Sequence, residues 1–144
     1  FLMSSIRYFS EGVDFSVPQP RKVVAWIKKV LAKELRKSGD INYIFCTDTY
    51  LLGLNQQYLK HNTYTDIITF DYSSGKSIDG EIYISVERVR ENANKLGVLF
   101  EDELLRVMIH GVLHLCGYQD KKSAQKAQMR KKEEAYLSLW HISR

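Results

Sequence analysis

Apolar residues recur along this chain with two periods, close to two and close to 3.6, and the switches between them mark out the elements. Ser5 to Ser10 reads as a short strand. Pro18 and Pro20 then break the chain ahead of a helix from about Arg21 to Ser38, with Val23, Val24, Trp26, Ile27, Val30, Leu31 and Leu35 on one side and Gly39-Asp40 expected to end it. Ile41 to Thr47 alternates as a half-buried strand does, and Thr49 to Lys60 returns to helical spacing. Asp66 to Tyr72 is β-branched and aromatic, Gly75 and Gly80 bound a turn, and Glu81 to Ser85 alternates again, which predicts two neighbouring strands. Val86 to Leu96 is helical and stops at Gly97, while Glu101 to Cys116 is a strongly apolar helix that stops at Gly117. A basic amphipathic helix follows from Lys122 to Trp140. Strands separated by helices, with helices gathered in the second half, predict an α/β fold: a single mixed sheet of about four strands with packed helices.

The length, 144 residues, fits one domain over residues 1–144. Apolar residues make up 44% and charged residues 26%, and no apolar run approaches the ~18 residues a membrane span needs. A soluble protein without membrane contact is expected. The start, Phe1-Leu2-Met3 followed by Ser4-Ser5, lacks the basic and apolar stretches of a secretory signal. Cys46 and Cys116 form no CxxC pair, which suits a reducing cytoplasm. Cys116 lies two residues beyond His114, but on a helix that offset points it away from the histidine face, so a plain buried thiol is expected. The net charge of +4 favours encounter with polyanions without establishing nucleic-acid binding.

The chemistry concentrates in His110-Gly-Val-Leu-His114-Leu-Cys-Gly117-Tyr-Gln-Asp120. Histidines four apart on a helix share a face, so two imidazole nitrogens can converge on one ion. A third ligand requires the chain to reverse, and glycine reverses it cheaply through positive φ. Gly117 stands three residues after His114 and Asp120 three residues further on, which makes a three-ligand, zincin-like site with the fourth position open to water. The bland alternative, two satisfied core histidines, does not explain the carboxylate at matching spacing.

This run resembles the H-G-x-L-H-L-x-G-Y-D-H signature of the YbeY family, bacterial ribosomal-RNA maturation factors that are metal-dependent, single-strand-specific endoribonucleases. Leu54-Asn55 with Tyr58, Thr65-Asp66-Ile67-Ile68-Thr69-Phe70 and Gly80-Glu81-Ile82-Tyr83-Ile84-Ser85 are similar to the family's L-N-x-x-[YW]-R, T-D-V-L-S-F and G-D-I-x-I-S stretches, and Met129 and Glu133 also fit. The resemblance implies one zinc ion per chain, ribosomal RNA as substrate, the small ribosomal subunit as a partner, and no nucleotide cofactor. Two positions depart from the pattern. Asp120 stands where the family has its third histidine, with Gln119 before it, and the added negative charge makes a weaker Lewis acid of the metal. Leu59 stands where the family carries an arginine thought to act on the phosphate, and the adjacent Lys60 and His61 are the candidates to replace it. The expected catalytic set is therefore His110, His114, Asp120, Lys60 and His61.

Asp66 and Ser85 read equally well as loop-capping residues and as residues near the site, and Asn55 as a helix-surface or site-supporting residue. Lys121, Lys122, Lys126, Arg130, Lys131 and Lys132 form a basic run that either tracks a phosphate backbone or is simply solvated. Three other functions compete. A zinc protease of related spacing carries a glutamate base after its first histidine, where this chain has Gly111. A non-catalytic ribosome-assembly factor would use the metal to hold its fold. An iron oxygenase shares the ligand types but not their usual arrangement along a sheet.

Overall fold

The structure, a computed structural model, describes residues 5–60 and 65–142. Its elements run β1 (Ile6–Glu11), α1 (Pro20–Lys33), β2 (Lys37–Cys46), α2 (Asp48–Tyr58), β3 (Ile67–Asp71), β4 (Ser77–Ser85), α3 (Val86–Leu96), α4 (Phe100–Leu115) and α5 (Ser123–Ile142). The fold is α/β with one mixed four-stranded sheet, as the alternating pattern predicts. Strand order is β1-β2-β4-β3; β1, β2 and β4 run parallel, and β3 lies antiparallel to β4 at the edge.

Alternation assigns the two faces of the sheet. Ile41, Tyr43 and Phe45 of β2 with Ile82 and Ile84 of β4 join the main core, against Trp26 and Leu31 of α1, Leu104 and Met108 of α4, and Trp140 of α5. A smaller cluster joins Leu51 of α2 to Cys46 of β2 and Ile68 of β3. Buried polar groups in the main core are satisfied: the Tyr43 hydroxyl donates to the Met108 carbonyl at 3.0 Å and the Trp26 indole to the Tyr136 carbonyl at 2.8 Å. Both bonds tie a helix to a distant partner.

Three boundaries lie several residues from the sequence expectation: the end of α1 and the starts of β2 and β4. Helix α1 ends at Lys33 rather than Ser38, because Leu35 adopts a left-handed φ of 59° and the Arg36 and Leu35 amides fold back onto the Leu31 and Ala32 carbonyls. Ser38, Gly39 and Asp40 therefore belong to β2, with a register irregularity between Ser38 and Ile41, and Leu35 is 78% exposed instead of facing the core. Gly80 does not bound a turn but sits inside β4, which begins at Ser77. A Cβ at Gly80 would lie 2.5 Å from the Phe70 carbonyl oxygen, so this glycine permits a close strand approach.

Candidate metal centre

Helix α4 opens with Glu101, Asp102 and Glu103 in its first turn, where carboxylates oppose the positive end of the helix dipole. Most of its length is buried, which fixes its rotation against the sheet. Gly111 sets how closely it lies: a Cβ there would meet Ile82 Cγ2 at 2.8 Å and Ile67 Cδ1 at 3.0 Å. His110 and His114 emerge on the remaining face, half-buried. Gly117, at φ 104°, ends the helix: its amide returns to the His114 carbonyl at 2.9 Å, and the Tyr118 amide to Leu113 at 3.0 Å. The reversed chain brings Asp120 back to the histidines.

The three expected ligands come together. The two Nε2 atoms are 2.9 Å apart, and Asp120 Oδ2 lies 3.2 Å from His110 Nε2 and 3.3 Å from His114 Nε2. Vertices of a tetrahedron around zinc, with ligand bonds of 2.0–2.1 Å, are about 3.3 Å apart. The other ring nitrogens are committed. His114 Nδ1 faces the Tyr118 carbonyl at 2.9 Å, which only accepts, and His110 Nδ1 faces Glu133 Oε2 at 2.5 Å. These acceptors call for the hydrogen on both Nδ1 atoms, which turns the two Nε2 atoms towards one point, the orientation two metal-ligating imidazoles need. His110, His114 and Asp120 form the one such group of metal-ligating side chains among the described residues, and it can hold a metal ion.

A charged network braces this face from α5. Arg106 binds Glu103 through Nε at 2.8 Å and Nη2 at 2.6 Å, and reaches Glu133 through Nη1 at 3.1 Å. Burial works to raise the Glu133 carboxyl, but the hydrogen bond from His110 and the Arg106 charge outweigh it and hold the group below the usual carboxylate range. Behind the turn, the Tyr118 hydroxyl donates to Glu34 Oε1 at 2.6 Å, Lys132 Nζ lies 3.0 Å from Glu34 Oε2, and Tyr136 donates to the same oxygen. Arg36 Nη2 donates to the Cys116 carbonyl at 2.9 Å, which satisfies an end carbonyl of α4.

The ligands open into a cleft of about 550 Å³ lined by Asn55, Leu59, Thr65, Asp66, β3 residues Ile67 to Thr69, and Lys121. Asp66, one of the two-way readings, lines the cleft; burial pushes its carboxyl above the usual range, with Arg106 and His110 opposing and Glu103 adding. Asn55 is 3% exposed at the same wall. Ser85 is a cap: its hydroxyl accepts from the Arg88 amide at 3.1 Å and donates to Asp48 Oδ1 at 2.7 Å. Lys60 is exposed with φ 56° beside Leu59, and is not among the described residues that line the cleft. His61 lies outside the described residues. Both cysteines are free and buried, and burial pushes Cys46 up to about 12 and Cys116 up to about 11. Arg106 and Glu34 escaped the sequence reading. Arg106 had a faint signal as a lone cation in an apolar helix, and Glu34 had none.

Together these features describe a class of α/β protein in which a metal-ligating helix ends in a glycine turn and a carboxylate, above a cleft bordered by an edge strand. The sequence model of Endoribonuclease YbeY matches residues 10–141. A Flavobacterium psychrophilum protein named Endoribonuclease YbeY is 54% identical over 134 residues, 93% of this chain and 96% of the relative. Another of that name, from Bacteroides thetaiotaomicron, is 43% identical and covers 94% of this chain and 98% of its own length. The solution structure of a Thermotoga maritima protein matches with a TM-score of 0.65 at 30% identity, covering 94% of this chain and 89% of that one. The chain belongs to the YbeY family.

Proposed function

We propose that this chain is a metal-dependent endoribonuclease that cuts single-stranded ribosomal RNA during its maturation, acting in the cytoplasm on the small ribosomal subunit or its precursor. The observation that carries the reading is the convergence of His110 Nε2, His114 Nε2 and Asp120 Oδ2 within 2.9–3.3 Å at an open cleft, in a chain with relatives named Endoribonuclease YbeY. Two imidazoles and one carboxylate at tetrahedral spacing suit zinc, one ion per chain. When bound, the ion supplies Lewis acidity towards a phosphoryl oxygen and makes a water acidic enough to attack.

The chain's own residues orient and discriminate. Glu133 and the Tyr118 carbonyl hold both imidazoles with Nε2 forward. Leu59 lines the cleft, and Lys60 and His61, the next two residues in the sequence, are the candidates to meet the phosphate where the family arginine is replaced. Peptide hydrolysis is disfavoured on steric grounds as well as chemical ones, because the position for a glutamate base is filled by Ile82 and Ile67 against Gly111. Residues 1–144 are read as a single domain, since one main core joins α1, α3, α4 and α5 to the sheet. No helix among the described residues is long and apolar enough to cross a membrane.

The test is an end-labelled single-stranded RNA assay with zinc-restored protein beside His114→Ala from the same preparation. The parent is expected to cleave slowly and lose activity on chelation, His114→Ala to lose both metal and cleavage, and neither to digest casein. Equal cleavage by parent and variant would point to a contaminating nuclease, and no cleavage by either would leave the metal with a structural role in ribosome assembly.

A further inference from the structure

The basic residues of the last helix are not equivalent. Lys132 is committed to Glu34 and sits over the Tyr118 ring. Lys126 and Arg130 are exposed, four apart on one face of α5, and line a second cavity of about 200 Å³ together with Arg106, His110, Asp120 and Glu133. Both carboxylates in that cavity have other partners or roles: Glu133 is paired with Arg106 and His110, and Asp120 stands beside the two histidines as the third candidate metal ligand. The side chains of Lys126 and Arg130 make no ion pair or hydrogen bond among the described residues, so two uncommitted cations stand against the wall of the metal centre.

His110 and Asp120 border this cavity and the larger cleft alike. A strand lying across the ligands passes from the β3 edge on one side to α5 on the other. We propose that Lys126 and Arg130 form a phosphate subsite that holds the backbone phosphodiester next to the one at the metal centre. The inference rests on the endoribonuclease reading and names how that substrate is held. Phosphate is favoured over a base because, among the described residues, no phenylalanine, tyrosine or tryptophan lines this cavity to stack one, whereas guanidinium and ammonium groups fit phosphate oxygens. The subsite supplies, from α5, positive charge that Leu59 does not offer on the β3 side. It holds the backbone without reading sequence.

The test measures anisotropy of fluorescein-labelled oligouridylate and oligoadenylate, with cleavage-resistant phosphorothioate linkages, bound to zinc-loaded protein across a salt series. For the Lys126→Ala/Arg130→Ala double variant we expect weaker binding to both sequences and a salt slope shallower by about 0.7 for each phosphate that is no longer neutralised. Lys29→Ala, an exposed cation on α1, is expected to leave the slope unchanged, and all variants to melt with the parent. An unchanged slope in the double variant, an equal change in Lys29→Ala, or no binding by the parent would overturn the subsite. A parent that cleaves RNA while the double variant keeps its slope sinks the subsite alone. A parent that binds with the expected slopes but never cleaves keeps the subsite and sinks the nuclease reading.

Discussion

Helices α1 and α4 end with the same hydrogen-bond pattern built from different residues. In α4 the left-handed position is Gly117, for which positive φ is cheap; in α1 it is Leu35, for which a left-handed backbone costs about 1–2 kcal/mol. The two ends also grip each other, Arg36 reaching the Cys116 carbonyl and Tyr118 reaching Glu34. Only the α4 end shapes the candidate metal centre, through the Tyr118 carbonyl that faces His114 Nδ1 and the chain that returns Asp120. A helix stop is thus set either by a residue that favours it or by partners that impose it. At α1 the partners of Glu34 and Arg36 impose it.

The largest effect is expected at the chemical end. Gly117→Ala puts a side chain at φ 104° and displaces both the Tyr118 carbonyl and Asp120. A loss of about 10–100-fold in zinc affinity is expected, by analogy with removing a ligand's hydrogen-bond partner, together with a lower melting temperature. Chelator competition reads the first; unchanged affinity would mean the turn does not position the ligands.

Glu34→Gln is the intermediate case. It removes a negative charge from three hydrogen bonds at a side chain only 8% exposed, and a destabilisation of about 1–3 kcal/mol at neutral pH is expected, with a smaller change in zinc affinity than Gly117→Ala. Burial works to raise the Glu34 carboxyl, but Tyr118, Tyr136 and Lys132 hold it below the usual carboxylate range. A folded-state pKa lowered in this way gives stability that is present above the unfolded value of about 4.3 and is lost as pH falls through the folded one. Urea melts should therefore show the gap between parent and variant closing in acid; a constant gap would assign the effect to packing.

The smallest effect has the opposite sign. Leu35→Gly is expected to stabilise by up to about 1 kcal/mol, the relief of left-handed strain less the entropy glycine adds to the unfolded chain. Equilibrium unfolding decides it, and a loss of stability would show that Leu35 makes packing interactions its exposure does not suggest.

These two ends also explain what the sequence disclosed. Helices α3 and α4 were legible to within a residue because Gly97 and Gly117 carry positive φ where the periodicity stops. The α1 stop was not, since leucine has no turn signature and the nearby Gly39-Asp40, in fact part of β2, drew the boundary towards it. The candidate ligands were legible because His110, His114 and Asp120 are neighbours within three turns' length of chain, so spacing alone relates them. Arg106, Glu34 and the place of Asp66 in the cleft wall were not, because their roles arise from partners far along the chain, such as Glu133 for Arg106 and Tyr118 for Glu34. The basic run showed its charge but not its sorting. Only the fold separates Lys132, spent on Glu34, from Lys126 and Arg130, which face the centre.

The close approach of Gly111 to Ile82 and Ile67 bears on what this scaffold can become. Installing the acidic base of a zinc peptidase is a single codon's work on paper, Gly111→Glu. In this fold that side chain would enter the helix–sheet interface and lift α4 off the strands, taking both histidines with it. Access to the other chemistry would first require smaller residues at positions 82 and 67, each of which opens a void in the core of the parent. The route from one hydrolase to the other thus runs through a less stable intermediate, and the barrier between the two activities lies in core packing rather than at the candidate metal centre.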